Sequence, residues 1–488
     1  MPMEWVKLLS LKTQVERTQE PGTESWADYP ISDFEQDYKS IISSASFRRL
    51  QDKTQVFPLD KSDFVRTRLT HSVEVSTIAK QLGIMVTQNK KGYVSTDFSH
   101  HSDVVSVIPS VLSCAGLLHD LGNPPFGHFG EVVIRDWFRH ELDKDDFSFK
   151  GTPVRDFLNS QMKNDLCNFE GNAQALRILS KIKNNPNGYD ANLTYSVINT
   201  LIKYPTDSEN ISEGHNDVKF HKLGYFLSEK ELFESVCHET GTYMPENGYA
   251  RHPLTFLMEA ADDIAYATSD LEDALKKGMF TVDQFIAYFK EEAGNIPQEN
   301  RKMKSIELIS NLEGRIRNLE RNRENDLVAF QKWTEYTKKW LMYVVAYSFS
   351  RNYTDIMQGV YQKDMFFEGF HRYSIEILKK AMAKFVFDSP QILKLELAAK
   401  KILSSLLSDF IYAVLYWRVE DDTYKMTKAQ KKIVNIISEN YKNDYLYARS
   451  ETDETKNLYL RFMMVTDYIS GMTDSFAKNL YQELNGIY

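Results

Sequence analysis

The stretch from residue 254 to residue 278 constrains the fold most, because its apolar residues recur every three or four positions. It has the sequence LTFLMEAADDIAYATSDLEDALKKG, and this spacing gathers on one face Leu257, Ala261, Ile264, Thr268, Leu271 and Leu275. That period is typical of an amphipathic α-helix, and similar patterns recur along the chain. Glycine is sparse, at 21 of 488 residues, and long segments lack closely spaced turn signals. We therefore predict an all-α protein rather than a β-sandwich or barrel.

Composition and charge exclude several classes of protein. No apolar run approaches the ~18 residues that a membrane-spanning helix needs, and charges interrupt the first twenty residues, where a secretory signal would be apolar. We predict a cytoplasmic protein with no membrane partner. The three cysteines, Cys114, Cys167 and Cys237, are too scattered for a disulfide framework or a thiolate metal site, so we expect buried thiols. The net charge of -9 argues against a surface that coats polyanions.

Helical patterns divide the chain into a half rich in reactive side chains and a plainer half. Besides 254–278, we predict helices near residues 38–50, 71–86, 107–122, 304–347, 366–386, 391–417, 427–442 and 456–486. Two polar, unpatterned segments, 88–103 and 205–222, are interpreted as surface loop insertions, so we set aside their histidines His100, His101, His215 and His221. The predicted organisation is an N-terminal arm (1–35), a core that carries the reactive residues (36–280) and a helical C-terminal region (281–488), all in one integrated domain.

The segment from Gly116 to Glu131, GLLHDLGNPPFGHFGE, places two histidines and two carboxylates around a point where the helical pattern stops. The preceding apolar run predicts a buried helix that ends near Gly122, with His119 and Asp120 at its C-terminal end. The sequence Asn-Pro-Pro that follows prevents the helix from continuing. His128 and Glu131 come next, three residues apart, so a helical turn would present them on one face. Such a loop would hold reactive groups beside a rigid core.

Two further groups of polar residues accompany apolar helical patterns. Asp262, Tyr266 and Asp270 follow one another at four-residue intervals beside the stripe of 254–278, so they share one line along that helix. Taken alone, they could equally form a solvent-facing acidic stripe. His71 begins another amphipathic helix, three residues after Arg68, and taken alone it would be explained as a core or capping residue.

Taken together, His71, His119, Asp120 and Asp262 offer two imidazoles and two carboxylates to one cation. This donor set suits Mn, Fe, Co or Zn, whereas Mg is less at home among imidazoles. Four protein ligands leave an octahedral ion two open positions, which water and a substrate oxygen can take. A metal held in this way lowers the pKa of water, so the combination favours a hydrolase.

The ordered series H…HD…D formed by these four residues resembles the HD superfamily of helical metal-dependent phosphohydrolases. Neighbouring segments narrow the resemblance to the deoxyguanosine triphosphate triphosphohydrolase (dGTPase) family, with similarity from about residue 40 to 480: RRLQDKTQVFPL, RTRLTHSVEV, HDLGNPPFGHFGE, FEGNAQALRIL, MEAADDIAYATSDLEDA and DYISGMTD. The resemblance implies an HD-domain helical core with additional C-terminal helices. It also implies cleavage of a deoxynucleoside triphosphate, dGTP above all, to deoxynucleoside and intact triphosphate, through metal-hydroxide attack on the α-phosphorus.

The resemblance assigns roles to individual residues. It makes His71, His119, Asp120 and Asp262 the metal ligands, with Asp262 preferred to Asp263 because the family's ligand is the first aspartate of EAADDI. It makes His128 and Glu131 the catalytic pair, in which His128 protonates the departing 5′ oxygen and Glu131 orients it. The implied substrate contacts are Arg68, Asn123, Lys203 and Tyr204 near the phosphates, Gln55, Tyr266 and Asp270 at the sugar, and Glu396 at the guanine edge. Glu170 and Asn172 are expected to support the metal ligands from behind.

The resemblance also implies a cofactor and partners. We expect one divalent metal per subunit, Mn, Mg or Co first and Fe, Ni or Zn as further options, together with a homo-oligomer, a hexamer in the family, and a single-stranded DNA effector as in some relatives. Residues 424–432, YKMTKAQKK, lie where some relatives place phosphate-binding arginines, but they contain only lysines and a glutamine, which cannot form a bidentate fork. Three alternatives stay open: an HD phosphohydrolase of another kind (a nucleotidase or phosphodiesterase), a triphosphohydrolase with broad dNTP specificity, and a regulatory nucleic-acid-binding scaffold.

Overall fold

The protein is built almost entirely from α-helices in a computed structural model, and the all-α prediction is confirmed. The structure describes residues 2–17, 32–59, 62–88, 102–181, 191–317, 319–320, 322–367, 369, 372–421 and 423–487. In the first part the helices are α1 (Trp5–Leu8), α2 (Asp33–Ser43), α3 (Ala45–Arg48), α4 (Arg68–Gln88), α5 (Ser102–Leu118), α6 (Gly127–Leu142), α7 (Val154–Phe157), α8 (Ser160–Cys167), α9 (Gly171–Ser180), α10 (Tyr195–Leu201), α11 (Lys230–Glu239) and α12 (Pro253–Lys276).

The second part of the chain is also helical. It contains α13 (Val282–Gly294), α14 (Glu299–Ile316), α15 (Arg323–Arg351), α16 (Tyr353–Met357), α17 (Arg372–Met382), α18 (Pro390–Val414), α19 (Lys428–Ile436), α20 (Glu439–Ala448), α21 (Glu454–Ser470) and α22 (Asp474–Leu484). Shorter turns are the 3-10 segments Arg49–Asp52, Val218–Phe220 and Leu227–Glu229 and a π-helical turn at Ala383–Phe387. Two antiparallel hairpins pair β1 (Ser148–Phe149) with β2 (Thr152–Pro153) and β3 (Tyr243–Met244) with β4 (Gly248–Tyr249).

The predicted apolar stripe of α12 is buried along its whole length, as its period requires. Three other stretches, each predicted as a single helix, contain two helices in the structure. The stretch 304–347 is divided between α14 and α15, 427–442 between α19 and α20, and 456–486 between α21 and α22. Local caps account for two of these divisions, the first and the third: Asn322 accepts a hydrogen bond from the amide of Asn325, and Thr473 accepts one from the amide of Phe476. Helix α5 ends at Leu118, earlier than the predicted Gly122, because residues 119–122 form tight turns.

Helices α4 and α5 pack closely along one another and form the centre of the fold. Glycine permits this approach, since a Cβ atom on Gly116 would lie 2.6 Å from the Cα of Ser76. The Ser76 hydroxyl also donates a hydrogen bond to the carbonyl of Ser113 (2.8 Å) across the same contact. Helix α12 packs against both α4 and α15. The start of α4, the end of α5 and the middle of α12 are therefore brought to one place.

The buried apolar residues form two clusters that do not divide the chain into halves. Cluster 1 is contributed by α4, α5, α10, α12, α15 and α17. Cluster 2 is contributed by α6, α8, α18, α21 and α22, so α6 from the first half of the chain packs with C-terminal helices. Helix α18 enters both clusters, through Ile392 in cluster 1 and Ala399 onward in cluster 2. The predicted boundary near residue 280 stays a prediction, but the cores on its two sides are interleaved.

Several smaller predictions concern the remainder of the chain. The described part of the predicted N-terminal arm packs on the body: Trp5 and Leu8 are buried, and the amide of Met3 donates to the carbonyl of Met357 (2.7 Å). The predicted loop at 88–103, with His100 and His101, lies almost wholly outside the described residues. All three cysteines are free, two of them buried and Cys167 half-buried. Within the described ranges, every helix is too short or too polar to cross a bilayer.

Candidate functional site

A cavity of ≈ 510 Å³ opens where the two apolar clusters meet. Its walls take Val56, Tyr266 and Ile392 from the side of cluster 1, and Phe126 and Ala399 from cluster 2. Ten of the fourteen predicted site residues line it, namely Gln55, Arg68, His119, Asp120, Asn123, His128, Glu131, Lys203, Tyr266 and Glu396. His71, Tyr204, Asp262 and Asp270 are not among its lining residues, and His71 and Asp270 are completely buried.

Three of the four predicted metal ligands form a compact group. His71, His119 and Asp262 each place one ligand atom within 4.8 Å of the others. The Oδ1 atom of Asp262 lies 3.3 Å from Nε2 of His71 and 3.4 Å from Nε2 of His119. Asp120 lies at the edge of this group, with its Oδ2 atom 3.4 Å from Nε2 of His119.

The orientation of His119 is fixed by a backbone contact. Its Nδ1 lies 2.8 Å from the carbonyl oxygen of Gly116, one turn earlier in α5, so Nδ1 carries the proton and donates it. The lone pair of Nε2 is therefore directed at the carboxylates of Asp120 and Asp262. Metal-binding histidines commonly have this arrangement, in which the second ring nitrogen donates to a carbonyl. His119 is thus held in the orientation that a metal ligand at this position needs.

The electrostatics of the group favour a cation. Burial opposes a charge on His71, yet its hydrogen bond to Asp262 and the nearby carboxylates of Asp270 and Asp120 outweigh this and raise its pKa to about 9. Burial also opposes ionisation of Asp262, but Lys203 and His119 outweigh it and hold the pKa of this carboxyl well below its usual value. The negative potential that keeps a proton on His71 also attracts a divalent ion.

The spacing of the group also fits an ion. Adjacent ligands of an octahedral ion lie about 3 Å apart when the ligand bonds are about 2.1 Å long. The separations of 3.3 and 3.4 Å among His71, His119, Asp120 and Asp262 are close to that value. The donor set of imidazole nitrogens and carboxylate oxygens is one that divalent transition metals accept. These four residues therefore can hold a metal, and the assignment of each as a ligand stays a prediction.

Arg68 lies beside the predicted metal ligands His71, His119, Asp120 and Asp262, called the metal group below. It is on the side of the group that faces the cavity. It is 6% exposed, and its Nη1 atom is 2.7 Å from Oδ2 of Asp120. The guanidinium packs directly on Gly127, where a Cβ would contact Nη2 of Arg68 and push the end of this side chain away. Gly127 also has a φ of +63°, which is costly for residues with side chains. Asn123 completes this edge by donating from its side chain to Oδ1 of Asp120.

The predicted catalytic pair lies at the start of α6. The Nδ1 atom of His128 is 2.8 Å from Oε2 of Glu131, so Glu131 orients the imidazole, whose side chain is 71% exposed. The other carboxylate oxygen of Glu131 accepts from the amide of Gly171 (2.8 Å). Arg135 then bridges Glu131 and Glu170, at 3.4 and 2.6 Å. The two residues are therefore rigidly connected, with Nε2 of His128 left to face a substrate.

Glu131 and Glu170 share the same cationic neighbours but ionise differently. Burial opposes ionisation of Glu131, and the hydrogen bond from His128 together with Lys222 and Arg135 outweighs it, so its pKa is lowered. Burial and the charge of Glu131 raise the pKa of Glu170, although Lys222 and Arg135 oppose this. The surroundings therefore favour ionisation of Glu131, beside His128, more than that of Glu170. Glu170 supports the Glu131 side of the site, and among its contacts with the described residues is one from Asn172, 2.9 Å away.

Asp270 and Gln55 form the deep end of the site. Nε2 of Gln55 lies 3.4 Å from Oδ2 of Asp270, and burial raises the pKa of Asp270 to about 7. Oε1 of Gln55 and Oδ1 of Asp270 are buried without a hydrogen-bond partner among the described residues. Asp270 is fully buried, so α12 does not carry a solvent-facing acidic stripe at this position. Gln55 lines the cavity and Asp270 lies directly behind it, so two acceptors without partners lie at this end of the site.

Lys203 and Tyr204 occupy different surroundings. Nζ of Lys203 is 3.1 Å from Oδ2 of Asp262, and only 12% of its side chain is exposed, so it belongs to the site rather than to the surface. Tyr204 lies beside Glu259 and Lys203, behind the cavity wall, and burial raises its pKa. The neighbouring aspartate, Asp263, pairs with Lys379 at 2.6 Å. The two adjacent aspartates of α12 are therefore directed to different partners, with Asp262 at the histidines.

Lys222 and Phe387 are two of the cavity residues that sequence reasoning missed. Lys222 lines the cavity and lies 3.2 Å from Glu170, so the prediction that 205–222 is only a surface loop is wrong for this residue. Phe387, in the π-helical turn before α18, faces Tyr266 with nearly parallel rings whose centroids are 6.5 Å apart. Glu396 follows on α18 and lines the same end. Both missed residues come from segments without a regular apolar period, so the pattern contained no signal for them.

Comparisons with known proteins agree with this geometry. Residues 68–155 match the family model described as the HD domain, and residues 367–483 match the model described as the phosphohydrolase-associated domain. A Listeria monocytogenes protein named deoxyguanosinetriphosphate triphosphohydrolase-like protein is 41% identical, over 99% of this chain and 100% of its own length.

Relatives named deoxyguanosinetriphosphate triphosphohydrolase cover nearly as much of the chain. The Serratia proteamaculans protein is 30% identical over 93% of this chain and 94% of its own length. The protein from Yersinia pseudotuberculosis is 31% identical over 92% and 93%. Likeness of this extent includes both the HD segment and the C-terminal helices. The chain belongs to the deoxyguanosinetriphosphate triphosphohydrolase family of HD-domain proteins.

Proposed function

We propose that this protein hydrolyses deoxynucleoside triphosphates, dGTP above all, to the deoxynucleoside and inorganic triphosphate. The observation that carries the proposal is the convergence of His71, His119 and Asp262 beside a cavity that also holds Arg68 and His128. The names of the relatives support the substrate. A hydrolytic site for a charged ester needs a metal group, cations for the phosphates and a proton donor, and this cavity offers all three.

The cations of the cavity suit a triphosphate. Arg68, Lys203 and Lys222 line it, although the chain as a whole has a net charge of -9. Arg68 is already close to Asp120, so its guanidinium can contact a phosphate oxygen beside the metal ligands. Lys203 pairs with Asp262 and can turn to the phosphates when the carboxylate binds an ion. Local positive charge on an acidic protein is what recognition of one bound anion requires.

The proposed cofactor is one divalent ion per subunit, held by His71, His119, Asp120 and Asp262. When bound, Mn, Co or Mg would act as a Lewis acid that lowers the pKa of water and offsets phosphate charge. The two imidazoles favour Mn or Co over Mg, and they also accept Fe, Ni or Zn. Protons compete for the same positions, since the pKa of His71 is raised to about 9.

His128 is proposed as the general acid. Water adds to the α-phosphorus, the bond between phosphorus and the 5′ oxygen breaks, and that oxygen must gain a proton. Nδ1 of His128 is engaged by Glu131, which leaves Nε2 as the atom that faces the leaving group. The ionised Glu131 stabilises the protonated imidazole. An acid positioned in this way contributes about 10²- to 10⁴-fold to the rate.

The sugar and base would occupy the deep end of the cavity. The unpartnered acceptors Gln55 Oε1 and Asp270 Oδ1 fit a 3′ hydroxyl group, which supplies the missing donor. Tyr266 forms the wall where a 2′ hydroxyl would project, so ribonucleotides are expected to fit poorly. Phe387 and Tyr266 present flat rings to a base, and Glu396 can accept hydrogen bonds from a guanine edge. Tyr204 is proposed to support Lys203 near the phosphates.

Product analysis tests the proposal directly. Purified protein is incubated with each dNTP and NTP in Mn, Co or Mg, and products are separated by anion exchange. We expect deoxyguanosine and tripolyphosphate from dGTP and little turnover of GTP. Primary release of dGDP, dGMP or orthophosphate would contradict the proposal and favour a nucleotidase or phosphodiesterase. Equal turnover of all dNTPs would favour broad specificity.

The partners proposed for this protein are those expected for its family. We expect a homo-oligomer, specifically a hexamer, which light scattering after size-exclusion chromatography measures. A single-stranded DNA effector is tested by adding an oligonucleotide to the same product assay. A change in the KM for dGTP would support the effector, whereas unchanged kinetics at saturating oligonucleotide would remove it from the proposal.

A further inference from the structure

The C-terminal segment DYISGMTD, residues 467–474, is similar to the family but has no role in the site described above. It forms the end of α21 and the turn into α22. We propose that this segment positions the loops that carry the substrate-binding and catalytic residues, and that Asp474 is its principal positioning residue. The kinetic part of this inference rests on the proposed function, and the structural part does not.

Asp474 joins two loops that are distant in sequence. It is 2% exposed, and its Oδ1 atom accepts a hydrogen bond from the amide of Phe126 at 2.9 Å. Its Oδ2 atom accepts from the amide of Thr54 at 3.1 Å and from the Thr54 hydroxyl. Thr54 immediately precedes Gln55, and Phe126 lies two residues before His128. One carboxylate therefore sets the positions of both the sugar-binding and the acid segments.

The loop held by Asp474 has a strained backbone. Phe126 has a φ of +63°, which is rare for a bulky side chain, and Gly127 after it has the same φ. A residue such as phenylalanine in this region costs of order 1–3 kcal/mol and persists only where its surroundings hold it. The hydrogen bond from the Phe126 amide to Asp474 and the burial of the phenyl ring in cluster 2 supply that restraint. These two left-handed residues aim His128 into the cavity.

A buried lysine makes a second connection beside the first. Lys53 is 3% exposed, and its Nζ atom donates to the carbonyl of Asn123 at 2.6 Å and to the carbonyl of Ser470 at 2.7 Å. The carbonyl of Lys53 in turn accepts from the amide of Arg68 at 3.1 Å. The turn at Ser470 is thereby linked to Asn123 and to the phosphate-facing arginine.

The start of the segment holds a third part of the site. Asp467 is buried and accepts from Arg177 through both carboxylate oxygens (2.8 Å each) and from Lys181 at 2.9 Å. Its Oδ1 atom also accepts from Gln174 at 2.8 Å. These partners lie on α9 or directly after it, and α9 begins at Gly171, whose amide holds Glu131. The segment 467–474 thus contacts the loop around Thr54, the loop 123–126 and helix α9, all of which border the cavity or hold residues that line it.

Substitution of Asp474 by asparagine tests the inference. Asp474→Asn replaces one carboxylate oxygen, which accepts hydrogen bonds, by an NH₂ group, which donates them. This NH₂ group must face the backbone amide of Thr54 or of Phe126, which also donates, so at least one of the two loops loses its hydrogen bond. The matched control is Asp453→Asn. It makes the same change at an exposed carboxylate that caps the start of α21 by accepting a hydrogen bond from the amide of Lys456 (2.9 Å). Four quantities are measured on both variants: amide hydrogen exchange, bound metal, kcat with KM, and Tm.

We expect exchange in peptides that cover 50–58 and 121–130 to become at least ~10-fold faster in Asp474→Asn and to stay unchanged in Asp453→Asn. Metal content should remain that of the unaltered holoenzyme. The kcat for dGTP should fall by about 10- to 100-fold, because small displacements of a catalytic group have effects of this size. The KM should change less, since the hydrogen bonds of Asp474 reach Thr54 and Phe126 rather than Arg68 or Lys203, and the rise that does occur is expected from Gln55, which follows Thr54.

Lys53→Met provides a second test should Asp474→Asn fold poorly. It replaces the lysine by an unbranched side chain one atom shorter and removes both donated hydrogen bonds, so faster exchange is expected at 121–130 above all. Unchanged exchange in these peptides in a folded variant would overturn the inference. So would a lower Tm with an unchanged kcat per folded molecule, since that result indicates stability alone. The exchange result is independent of substrate, so it distinguishes failure of this inference from failure of the proposed function.

Discussion

The metal group and the acid pair, His128 with Glu131, differ in how charged residues surround them. In the metal group, the ligand atoms of His71, His119 and Asp262 lie within 4.8 Å of one another, while Lys203 and Arg68 each pair with one carboxylate at its edge. In the acid pair, by contrast, Arg135 bridges Glu131 and Glu170, and Lys222 pairs with Glu170. We infer that the first region is arranged to receive an ion between its ligand atoms, whereas the second is arranged to present a proton. Each region should therefore fail in its own way when altered.

The largest effect is expected from Asp262→Asn. It removes the negative charge that both histidines face, so the site should lose its metal, and turnover should fall to background. Metal content by mass spectrometry and the kcat for dGTP measure this together. The matched control is Asp263→Asn, whose carboxylate pairs with Lys379 instead. Equal loss of metal in both variants would remove the distinction between the two aspartates.

The next largest effect is expected from His128→Ala. The acid pair lies outside the metal group, so the variant should retain its metal and lose about 10²- to 10⁴-fold in kcat. Metal analysis and steady-state kinetics on the same preparation separate the two regions. Near-normal turnover would show that His128 is not the acid. Loss of the metal would show that the two regions are not independent.

His252 lies outside both regions, and it affects how the stability of the fold depends on pH. His252 accepts from the amide of Leu254 at 3.1 Å and lies 3.1 Å from the carbonyl of Leu8, and burial lowers its pKa to about 4. In the unfolded chain His252 takes up a proton near pH 6.5, whereas in the folded protein it stays neutral down to about pH 4. The stability that the folded protein gains with a neutral His252 is therefore complete above pH 6.5 and is lost as the pH falls toward 4.

The lowered pKa corresponds to roughly 3 kcal/mol between those limits. His252→Asn keeps an acceptor at the start of α12 but does not titrate. Its free energy of unfolding, from denaturant titrations at several pH values, should depend less on pH between 6.5 and 4 than that of the unaltered protein. Identical pH profiles would assign the acid sensitivity to other groups.

The smallest effect is expected from Lys222→Met. The side chain is 39% exposed and pairs with Oε1 of Glu170 at 3.2 Å, whereas Arg135 contacts both Glu131 and Glu170, so Glu131 should stay in place. We expect a loss of about 2- to 10-fold in kcat/KM with metal content unchanged. A loss as large as that of His128→Ala would instead place Lys222 at the reacting phosphates.

The sequence predicted those features that depend on regular spacing. The stripe of α12 and the H…HD…D order identify the helices and the ligand group, because helix geometry fixes which residues share a face. The helix boundaries near Asn322 and Thr473 were missed, since a single capping side chain can end one helix and begin another. Lys222 and Phe387 were also missed, because only tertiary packing brings an irregular segment to the site.

The interleaving of the two apolar clusters has a consequence for how this chain matures during synthesis. Helix α6 carries His128 and Glu131, but the apolar surface beneath it is covered by α18, α21 and α22. The ribosome produces those helices last, and domains generally fold as units. A nascent or prematurely terminated chain that already contains the HD segment therefore lacks the packing that positions His128, so we expect incomplete products to lack the proposed hydrolytic activity.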